Sequence, residues 1–482
     1  MPAVLNHRAL GARVWSNPAV DLALDLTDRA VRSASLYQAL RDALGDGRLK
    51  AGDRLPASRA LAKDLGISRN TVATVYERLV AEGFLESRVG AGTYVAEARR
   101  QRRDHAPGSL TPRLGWRWAP RPTSAEAAVP AYDLRVGIPD AELFPFDTWR
   151  RILAAESRLR GHNPGTYASP AGLPRLREAL AHTVAYHRGV RADPGQIVVT
   201  SGTQQALDLV ARVLLEPGNV VAVEDPGYPS AIDLFASHGA RVVPVPVDEE
   251  GLVVEEIPEQ ARLVYTTPSH QFPLGVRLSL PRRRALLAFA NTHDAGIVED
   301  DYDSEFRFTE RPLEPLHAMD DQGRVIYVGT FSKSLLPSLR TGYLVAPGSL
   351  VDSLLAAKQL GDGFGPVQPQ AALARFLEEG LLARHVRKAS KTYAERRSLL
   401  LEALTTWPVE VLPSAAGLHL SAYAELPADL PERAAAEGLA LDTISAHRLL
   451  PGRDGLFLGY GAVRTESLPR GLELLADLAG WA

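Results

Sequence analysis

The sequence predicts an α/β protein in which a small helical domain precedes a large domain built on a mostly parallel sheet. From Asp133 onward, short apolar runs typical of buried strands alternate with amphipathic stretches typical of helices. Before them, between Leu36 and Val95, three short helical patterns are followed by two strand-like runs around glycines. With 482 residues, 45% of them hydrophobic, the chain is long enough for two or three packed domains.

Composition divides the chain into three parts. We expect the small domain over 1–96 and the large domain over 131–482, joined by an arginine- and proline-rich linker over 97–130. Residues 1–103 hold 17 Lys and Arg against 11 Asp and Glu, whereas the rest holds 37 against 46. This asymmetry indicates that only the N-terminal part meets a polyanion.

Composition also excludes several classes of site. The chain has no cysteine, which rules out disulfides, thiol nucleophiles and cysteine metal sites. The N-terminus lacks the order of a signal peptide, and no apolar run approaches the roughly 20 residues needed to cross a bilayer. We therefore expect a cytoplasmic protein without membrane contact.

The elements of the small domain follow from apolar spacing and caps. Leucines recur every four residues over Leu36–Leu44, which predicts a first helix. Ser58 is the predicted N-cap of a second helix, and Gly66 ends it. After a short turn, Ser68 caps a third helix that stops at Gly83, before a glycine-containing hairpin.

This order of elements is a winged helix-turn-helix, whose third helix enters the major groove of DNA. Arg69 suits bidentate bonding to guanine, and Asn70 suits adenine. The alternative is a helical bundle with an ordinary solvated basic face. Arginine, hydroxyl and glycine positions suited to the sugar-phosphate chain complete the predicted DNA contacts: Arg54, Ser58, Arg59, Ser68, Thr71, Arg88, Gly90 and Thr93.

Three runs of this domain, Asp53–Arg59, Ser68–Val72 and Gly90–Val95, closely resemble the GntR family of bacterial repressors. The resemblance covers the whole segment. It implies that the N-terminal domain binds a double-stranded DNA operator.

The large domain is predicted to hold seven strands and four helices. Strands are expected at 197–200, 220–224, 242–247, 263–266, 296–300, 325–329 and 341–346, and helices near 203–215, 229–238, 281–293 and 349–360. Such alternation predicts a sheet covered on both faces, with ligands bound outside the carboxyl ends of its strands.

One of these strands is followed by Lys333, within the hydroxyl-rich segment Gly329–Ser334. An amine on such a loop can form an imine with an aldehyde, and Thr330, Ser332 and Arg340 can bind a phosphate beside it. Pyridoxal 5'-phosphate (PLP) is both an aldehyde and a phosphate ester. The alternative is a solvated lysine at the start of a helix.

Two other strand ends carry polar groups that suit the same cofactor. The segment Ser201–Gln204 opens a helix, where it can bind a phosphate. Its first and last residues can also form a capping box, and the two interpretations are compatible. Within the carboxylate run Glu299–Asp303, Asp300 can keep a pyridine nitrogen protonated, and Tyr302 can donate to the phenolate oxygen. A metal site is the alternative, but no histidine accompanies the run at useful spacing.

A tyrosine, Tyr228, follows a further strand and either stacks on a flat ring or packs on its own loop. The combination of these motifs, across residues 133–480, resembles the fold-type I PLP enzymes of the aspartate aminotransferase group. The resemblance implies a homodimer. It implies that Lys333 forms the Schiff base with the cofactor. The phosphate contacts fall to Gly202, Thr203, Gln204, Thr330 and Arg340. By the same resemblance, Asp300 pairs with the ring nitrogen, Tyr302 contacts the phenolate oxygen, Tyr228 stacks on the ring, and Tyr167 reaches the phosphate of the partner subunit.

A GntR-like domain fused to an aminotransferase-like body resembles the MocR/GabR regulators, as does the segment Thr267–Pro273. Transaminases usually place an arginine for the substrate carboxylate just before a Leu-Gly-aromatic run, where this chain has Phe457. The leading hypothesis is a PLP-dependent transcriptional regulator that senses PLP or a small amine through an aldimine at Lys333 and controls vitamin B6 metabolism. The alternatives are an active aminotransferase with a DNA-binding domain and a repressor with an empty scaffold.

Overall fold

The computed structural model describes residues 12–17, 20–25, 31–88, 90–96, 130–158, 165–308 and 313–481. The chain separates into two compact units, Met1–Arg113 and Leu114–Ala482. The division falls within the predicted linker, whose residues 97–129 lie outside the described residues. The boundaries of the small and large domains therefore stay predictions.

The described residues of the first unit form three helices and two hairpins. Its elements are β1 (Ala12–Asn17), β2 (Val20–Asp25), α1 (Val31–Gly45), α2 (Ser58–Leu65), α3 (Arg69–Ala81), β3 (Leu85–Arg88) and β4 (Gly92–Val95). The β1–β2 hairpin was not predicted. The apolar faces of the three helices form one buried cluster with β3 and β4, lined by Leu36, Leu40, Leu61, Leu65, Val72, Val75, Leu79, Leu85 and Val95.

The caps of these helices only partly match expectation. Gly66 takes a left-handed conformation and ends α2, and the Ser68 hydroxyl accepts from the Thr71 amide at 3.1 Å to cap α3. The prediction for Ser58 is wrong, because Ala57 is the N-cap of α2 and no side chain caps that helix. Ser58 is already helical, so it stands one residue too late to serve as the cap.

The second unit is organised around one eight-stranded sheet. Its strands are β5 (Tyr132–Asp133), β6 (Ile197–Thr200), β7 (Val220–Asp225), β8 (Arg241–Asp248), β9 (Gly251–Leu252), β10 (Ala261–Thr266), β11 (Gly296–Asp301), β12 (Val325–Thr330), β13 (Gly342–Val345), β14 (Glu410–Val411), β15 (His419–Tyr423), β16 (Leu439–Ala440), β17 (Asp442–Thr443) and β18 (Gly455–Gly459). The large sheet has the order β6-β13-β12-β11-β10-β7-β8-β9.

The central strands of this sheet, β8-β7-β10-β11-β12, are parallel to one another. Strand β13 is antiparallel to both of its neighbours. All seven predicted strands belong to this sheet, and the predicted fold class is confirmed. A second sheet, β14-β15-β18-β17, lies in the C-terminal part and was not predicted.

Helices cover both faces of the large sheet. They are α4 (Phe146–Arg158), α5 (Pro174–Arg188), α6 (Thr203–Leu214), α7 (Pro229–Ser237), α8 (Leu280–Thr292), α9 (Leu316–Met319), α10 (Gly348–Gly361), α11 (Val367–Glu378), α12 (Leu381–Thr406), α13 (Leu430–Ala436) and α14 (Leu468–Ala479). Val199 of β6 packs with α5 and α11, whereas Val198 packs with α6 and α10. Successive side chains of a strand point to opposite faces, so a run of apolar residues serves both layers.

This topology places the carboxyl ends of β7, β10, β11 and β12 along one edge of the sheet. The loops that follow these strands carry Tyr228, the Thr267–Pro273 segment, Tyr302 and Lys333. In the part of the chain that the structure describes, none of the helices is long and apolar enough to cross a membrane.

Candidate functional site

The Lys333 side chain points into the interior from the loop after β12. Its Nζ donates a hydrogen bond to the Gly137 carbonyl oxygen at 2.7 Å. Burial lowers the pKa of the Lys333 amine, while the nearby Asp303 and Asp300 oppose that shift. Gly137 allows this approach, since a Cβ atom there would lie 2.6 Å from Nζ. An inward-pointing amine of this kind does not fit the alternative of a solvated lysine.

Asp300 ends β11 and is 3% exposed. Its Oδ2 accepts a hydrogen bond from the Tyr265 hydroxyl at 2.8 Å, whereas its Oδ1 is buried without a partner among the described residues. Burial raises the pKa of Asp300 to about 7. A buried acceptor without a donor is costly, so this oxygen suits the N–H group of a protonated ring held in the pocket.

The carboxylates around Asp300 have separate partners. Glu299 accepts from the amides of Leu316 and His317 at 3.0 and 2.9 Å, at the start of α9. Asp301 pairs with Arg188 at 3.0 Å and accepts a hydrogen bond from the Tyr327 hydroxyl. These carboxylates therefore do not converge on one metal ion.

The fold nevertheless brings histidines to this carboxylate run that sequence spacing does not reveal. In the fold, His270 and His419 lie beside Asp303, with ligand atoms of the three residues within 4.8 Å of one another. The sequence separates these residues widely, and for that reason spacing alone could not find the cluster.

Two aromatic side chains line the same edge of the sheet. The Tyr302 hydroxyl lies 3.1 Å from His270 Nδ1, and burial raises the pKa of Tyr302. The Tyr228 hydroxyl accepts from Gln204 Nε2 at 3.4 Å, and its ring packs edge-on against Phe272 at 5.7 Å. Tyr228 thus contacts groups outside its own loop, as expected if it borders a pocket.

The segment Thr267–Pro273 is fastened to the end of β7. Glu224 accepts from the Thr267 amide and hydroxyl, and Gln271 Nε2 donates to the Pro226 carbonyl at 2.8 Å. These bonds hold the loop after β10 against the loop after β7. They fix the positions of His270 and Phe272 beside the two tyrosines.

A candidate anion site lies where β6, β12 and β13 adjoin. Gly202 is the N-cap of α6, and a Cβ atom there would lie 3.4 Å from both terminal nitrogens of Arg340. Arg340 itself has a left-handed conformation, with φ of 47°. The Thr330 hydroxyl donates to Ser332 Oγ at 3.0 Å on the adjoining strand end. An arginine beside a helix N-terminus provides both charge and amide donors for a phosphate.

The predicted capping box at the start of this helix is wrong. The Ser201 amide donates to Gln205 Oε1 at 2.8 Å, and Gly202 rather than Ser201 is the N-cap. Gln204 instead contacts Tyr228. The phosphate interpretation for Gly202, Thr203 and Gln204 stays a prediction.

Tyr167 lies apart from these residues. Its side chain is 92% exposed, and its ring packs edge-on against Phe364 at 6.1 Å. Among the described residues, it makes no polar contact with Lys333, Asp300 or Arg340. Its role at the phosphate of a partner subunit stays a prediction.

The first unit presents an exposed polar surface at the start of α3. Arg69 and Asn70 are exposed, as are Arg54 and Arg59 near α2. Three further predicted contacts already have partners in the chain, namely Arg88, Ser68 and Thr71. Arg88 pairs with Glu86 and lies 4.6 Å from the Tyr94 ring centroid.

Ser68 and Thr71 bond each other in the cap of α3. Ser58 and Thr93 are half-buried, and Gly90 is exposed with φ of 75° in the turn between β3 and β4. The exposed surface fits the geometry of a recognition helix and wing, while the individual contacts stay predictions.

Comparison with known proteins identifies both units. Residues 134–428 match the model for aminotransferase class I and II, and residues 32–95 match that for bacterial regulatory proteins of the gntR family. The probable rhizopine catabolism regulatory protein MocR of Rhizobium meliloti is 38% identical, over 94% of this chain and 95% of that protein. The pyridoxine biosynthesis transcriptional regulator PdxR of Corynebacterium glutamicum is 34% identical, over 92% and 94%.

Enzymes are also similar to the large unit. The Pyrococcus horikoshii kynurenine aminotransferase structure superposes with a TM-score of 0.68 at 30% identity, covering 74% of this chain and 92% of that one. Aromatic-amino-acid aminotransferase 1 of Thermococcus litoralis is 32% identical, over 71% and 86% of the two chains. The two family matches and the end-to-end similarity to regulators show that this chain belongs to the MocR/GabR-type transcriptional regulators, which join a GntR-type DNA-binding domain to an aminotransferase-like domain.

Proposed function

We propose that this regulator binds PLP at Lys333 and changes its binding to DNA in response. The observation that carries the proposal is the buried Asp300 carboxylate, which has one unpaired oxygen among the described residues and whose charge acts on the Lys333 amine. When bound, PLP supplies an aldehyde for the lysine and a ring that draws electrons from its substituents. The residues of the chain would hold and orient it.

Each end of the cofactor has a candidate partner. Asp300 Oδ1 would accept from the ring nitrogen, and the resulting ion pair would remove the cost of the unpaired buried oxygen. Arg340, Thr330 and the start of α6 would bind the phosphate. Tyr228 would pack on the ring, and Tyr302 would donate to its phenolate oxygen.

The effector is proposed to be PLP itself rather than an amino acid. Phe457 stands where transaminases usually carry an arginine, and it is buried against Phe272 at 5.7 Å. The two nearby arginines have other partners, since Arg453 pairs with Glu410 and Arg464 pairs with Glu142. These contacts leave the α-carboxylate of an amino acid without an evident counter-charge at that position.

Because the proposed effector is PLP, we propose that the protein controls vitamin B6 synthesis. The similarity to the pyridoxine biosynthesis regulator supports it. The similarity to a rhizopine catabolism regulator supports a small amine as the alternative ligand. We expect the protein to act as a cytoplasmic homodimer that presents two winged helix-turn-helix domains to paired half-sites.

PLP can change DNA binding only if it has different affinity for two arrangements of those domains. The test is footprinting on an operator selected from random DNA, with and without PLP. We expect PLP to alter the protected region or the affinity, and the Lys333→Ala variant to lose that response while still binding DNA. An unchanged footprint would reject PLP as the effector.

An active aminotransferase that carries a DNA-binding domain is the second candidate. The 32% identity to an aromatic-amino-acid aminotransferase favours it. Multiple turnovers with a panel of amino acids and keto acids, measured on the PLP-loaded protein, would support the enzyme. Slow single half-reactions alone would favour the regulator.

A further inference from the structure

A buried polar cluster beside Tyr302 has no part in the proposed function so far. It consists of His270, Asp303 and His419, which come from the loop after β10, the loop after β11 and the start of β15. Each of the three is at most 2% exposed. Buried ionisable groups are costly unless their hydrogens and charges are matched, so the hydrogen bonds of the cluster are informative.

The carboxylate of Asp303 places a hydrogen on Nδ1 of His270. Nδ1 lies 3.1 Å from each carboxylate oxygen of Asp303, and a carboxylate can only accept. On the other side of the ring, Nε2 lies 3.2 Å from Ser414 Oγ, a hydroxyl that can donate or accept. The hydrogen bond to Asp303 therefore fixes a hydrogen on Nδ1.

The neighbouring histidine does not compete for this proton. His419 Nε2 donates to the Pro273 carbonyl at 2.9 Å, and its Nδ1 is buried without a partner among the described residues. Burial, together with the neighbouring His270, lowers the pKa of His419 to about 3. Its ring lies 4.5 Å from that of His270. The carboxylate beside His270 keeps the proton on that ring.

The protonation of His270 decides where the hydrogen of Tyr302 points. The Tyr302 oxygen lies 3.1 Å from His270 Nδ1. A bare Nδ1 would draw the tyrosine hydrogen to itself, whereas a protonated Nδ1 leaves that hydrogen available to another acceptor.

We propose that Asp303 and His270 are positioning residues that turn the Tyr302 hydroxyl hydrogen towards the phenolate oxygen of bound PLP. The proposal rests on the proposed function, because Tyr302 must face the cofactor. The other charged groups near the cluster are Lys333 and Asp300, whose charges act on Asp303 and Tyr302. The Leu418 amide also donates to Asp303 at 3.2 Å, which ties the cluster to the C-terminal part of the chain.

The first test is the pH midpoint of the absorbance change of the PLP-loaded full-length protein. Tyr302→Phe should raise the midpoint by about 1 pH unit, because a donor to the phenolate favours its deprotonated form. Asp303→Asn should raise it by a similar amount. The asparagine oxygen would take the hydrogen bond from the Leu418 amide, which turns the side-chain NH2 group towards Nδ1, so that Nδ1 loses its hydrogen and accepts the tyrosine hydrogen. The double variant should shift no further than either single variant.

The matched control is Asp208→Asn. Asp208 also pairs with a histidine, His238 at 2.8 Å, but this pair is half-buried, between α6 and the end of α7. The Asp208→Asn substitution should leave the midpoint of the absorbance change unaltered. Melting temperatures confirm that each variant is folded.

The second test uses nitrogen-15 NMR of the histidine rings in the cofactor-free protein at about pH 8, above the ordinary histidine pKa of about 6.5. His270→Asn assigns the signal. We expect a hydrogen on Nδ1 of His270 and a bare Nδ1 on His419. A bare Nδ1 on His270 overturns the proposal.

Two further outcomes are decisive. An Asp303→Asn midpoint that stays unchanged, where Tyr302→Phe moves it, overturns the proposal and leaves PLP binding intact. A metal ion retained in equimolar amount also overturns it, because a metal on Nδ1 would replace the proton. A protein that binds no PLP refutes the proposed function first, and the proposal with it.

Discussion

Replacement of Asp300 by asparagine should change the cofactor-free and the PLP-bound protein in opposite directions. In the cofactor-free protein this carboxyl is buried, with Oδ1 unpaired, and its pKa rises from 3.8 to about 7. A raised pKa means that the charged form is less stable in the folded protein. The free energy of unfolding of the cofactor-free protein therefore keeps its full value below about pH 4 and falls as the pH rises to about 7.

The size of this loss follows from the pKa shift. Three pKa units at about 1.36 kcal/mol each correspond to a cost on the order of 4 kcal/mol above pH 7. Asparagine has nearly the same shape, carries no charge and can still accept from Tyr265. Asp300→Asn should therefore stabilise the cofactor-free protein at about pH 8 and have little effect near pH 4.

PLP binding should respond in the other direction. An ionic hydrogen bond to the ring nitrogen contributes about 1.5–3 kcal/mol, so its loss corresponds to roughly 10- to 150-fold weaker binding. The assays are urea denaturation of the cofactor-free protein at the two pH values and absorbance titration with PLP. A variant that is less stable than the parent at pH 8, or that binds PLP equally well, would refute the reasoning.

Three further predictions concern the lysine, the phosphate and the DNA. Lys333→Ala should leave the protein colourless after dialysis against buffer, while Lys388→Ala, at an exposed position on α12, should stay yellow in the same absorbance spectrum. Arg340→Ala should weaken PLP binding about tenfold without changing the binding of pyridoxal, which has no phosphate, in fluorescence titrations. Arg69→Ala should cost about 1–3 kcal/mol in operator binding by gel shift, and Arg88→Ala, already paired with Glu86, should cost less.

Much of the fold could be predicted because local patterns dictate it. Each of the seven predicted strands contains a run of β-branched or apolar residues, and each was found within two residues of its expected limits. Ser68 was correctly predicted as a cap, since its side chain needs only the amide three residues later. The wrong caps at Ser58 and Ser201 have one cause, because a cap depends on the residue at which the helix begins.

The C-terminal sheet was missed because its strands are short and weakly patterned. Strands β14 and β17 have two residues each, too few to show a period. They become strands only because β15 and β18 provide neighbours. The same pairing brings His419 to the candidate site.

The sequence alone determined which groups could bind an aldehyde, an anion and DNA, because those capacities belong to the residue types and their local order. Only the tertiary structure decided which of these groups lie close together. It aligned the ends of β10, β11 and β12, left one oxygen of Asp300 unpaired, and brought His270 to Asp303 and His419. The physical reason is that strand pairing and burial act between residues far apart in the chain, and these set the charges and hydrogen bonds of the site.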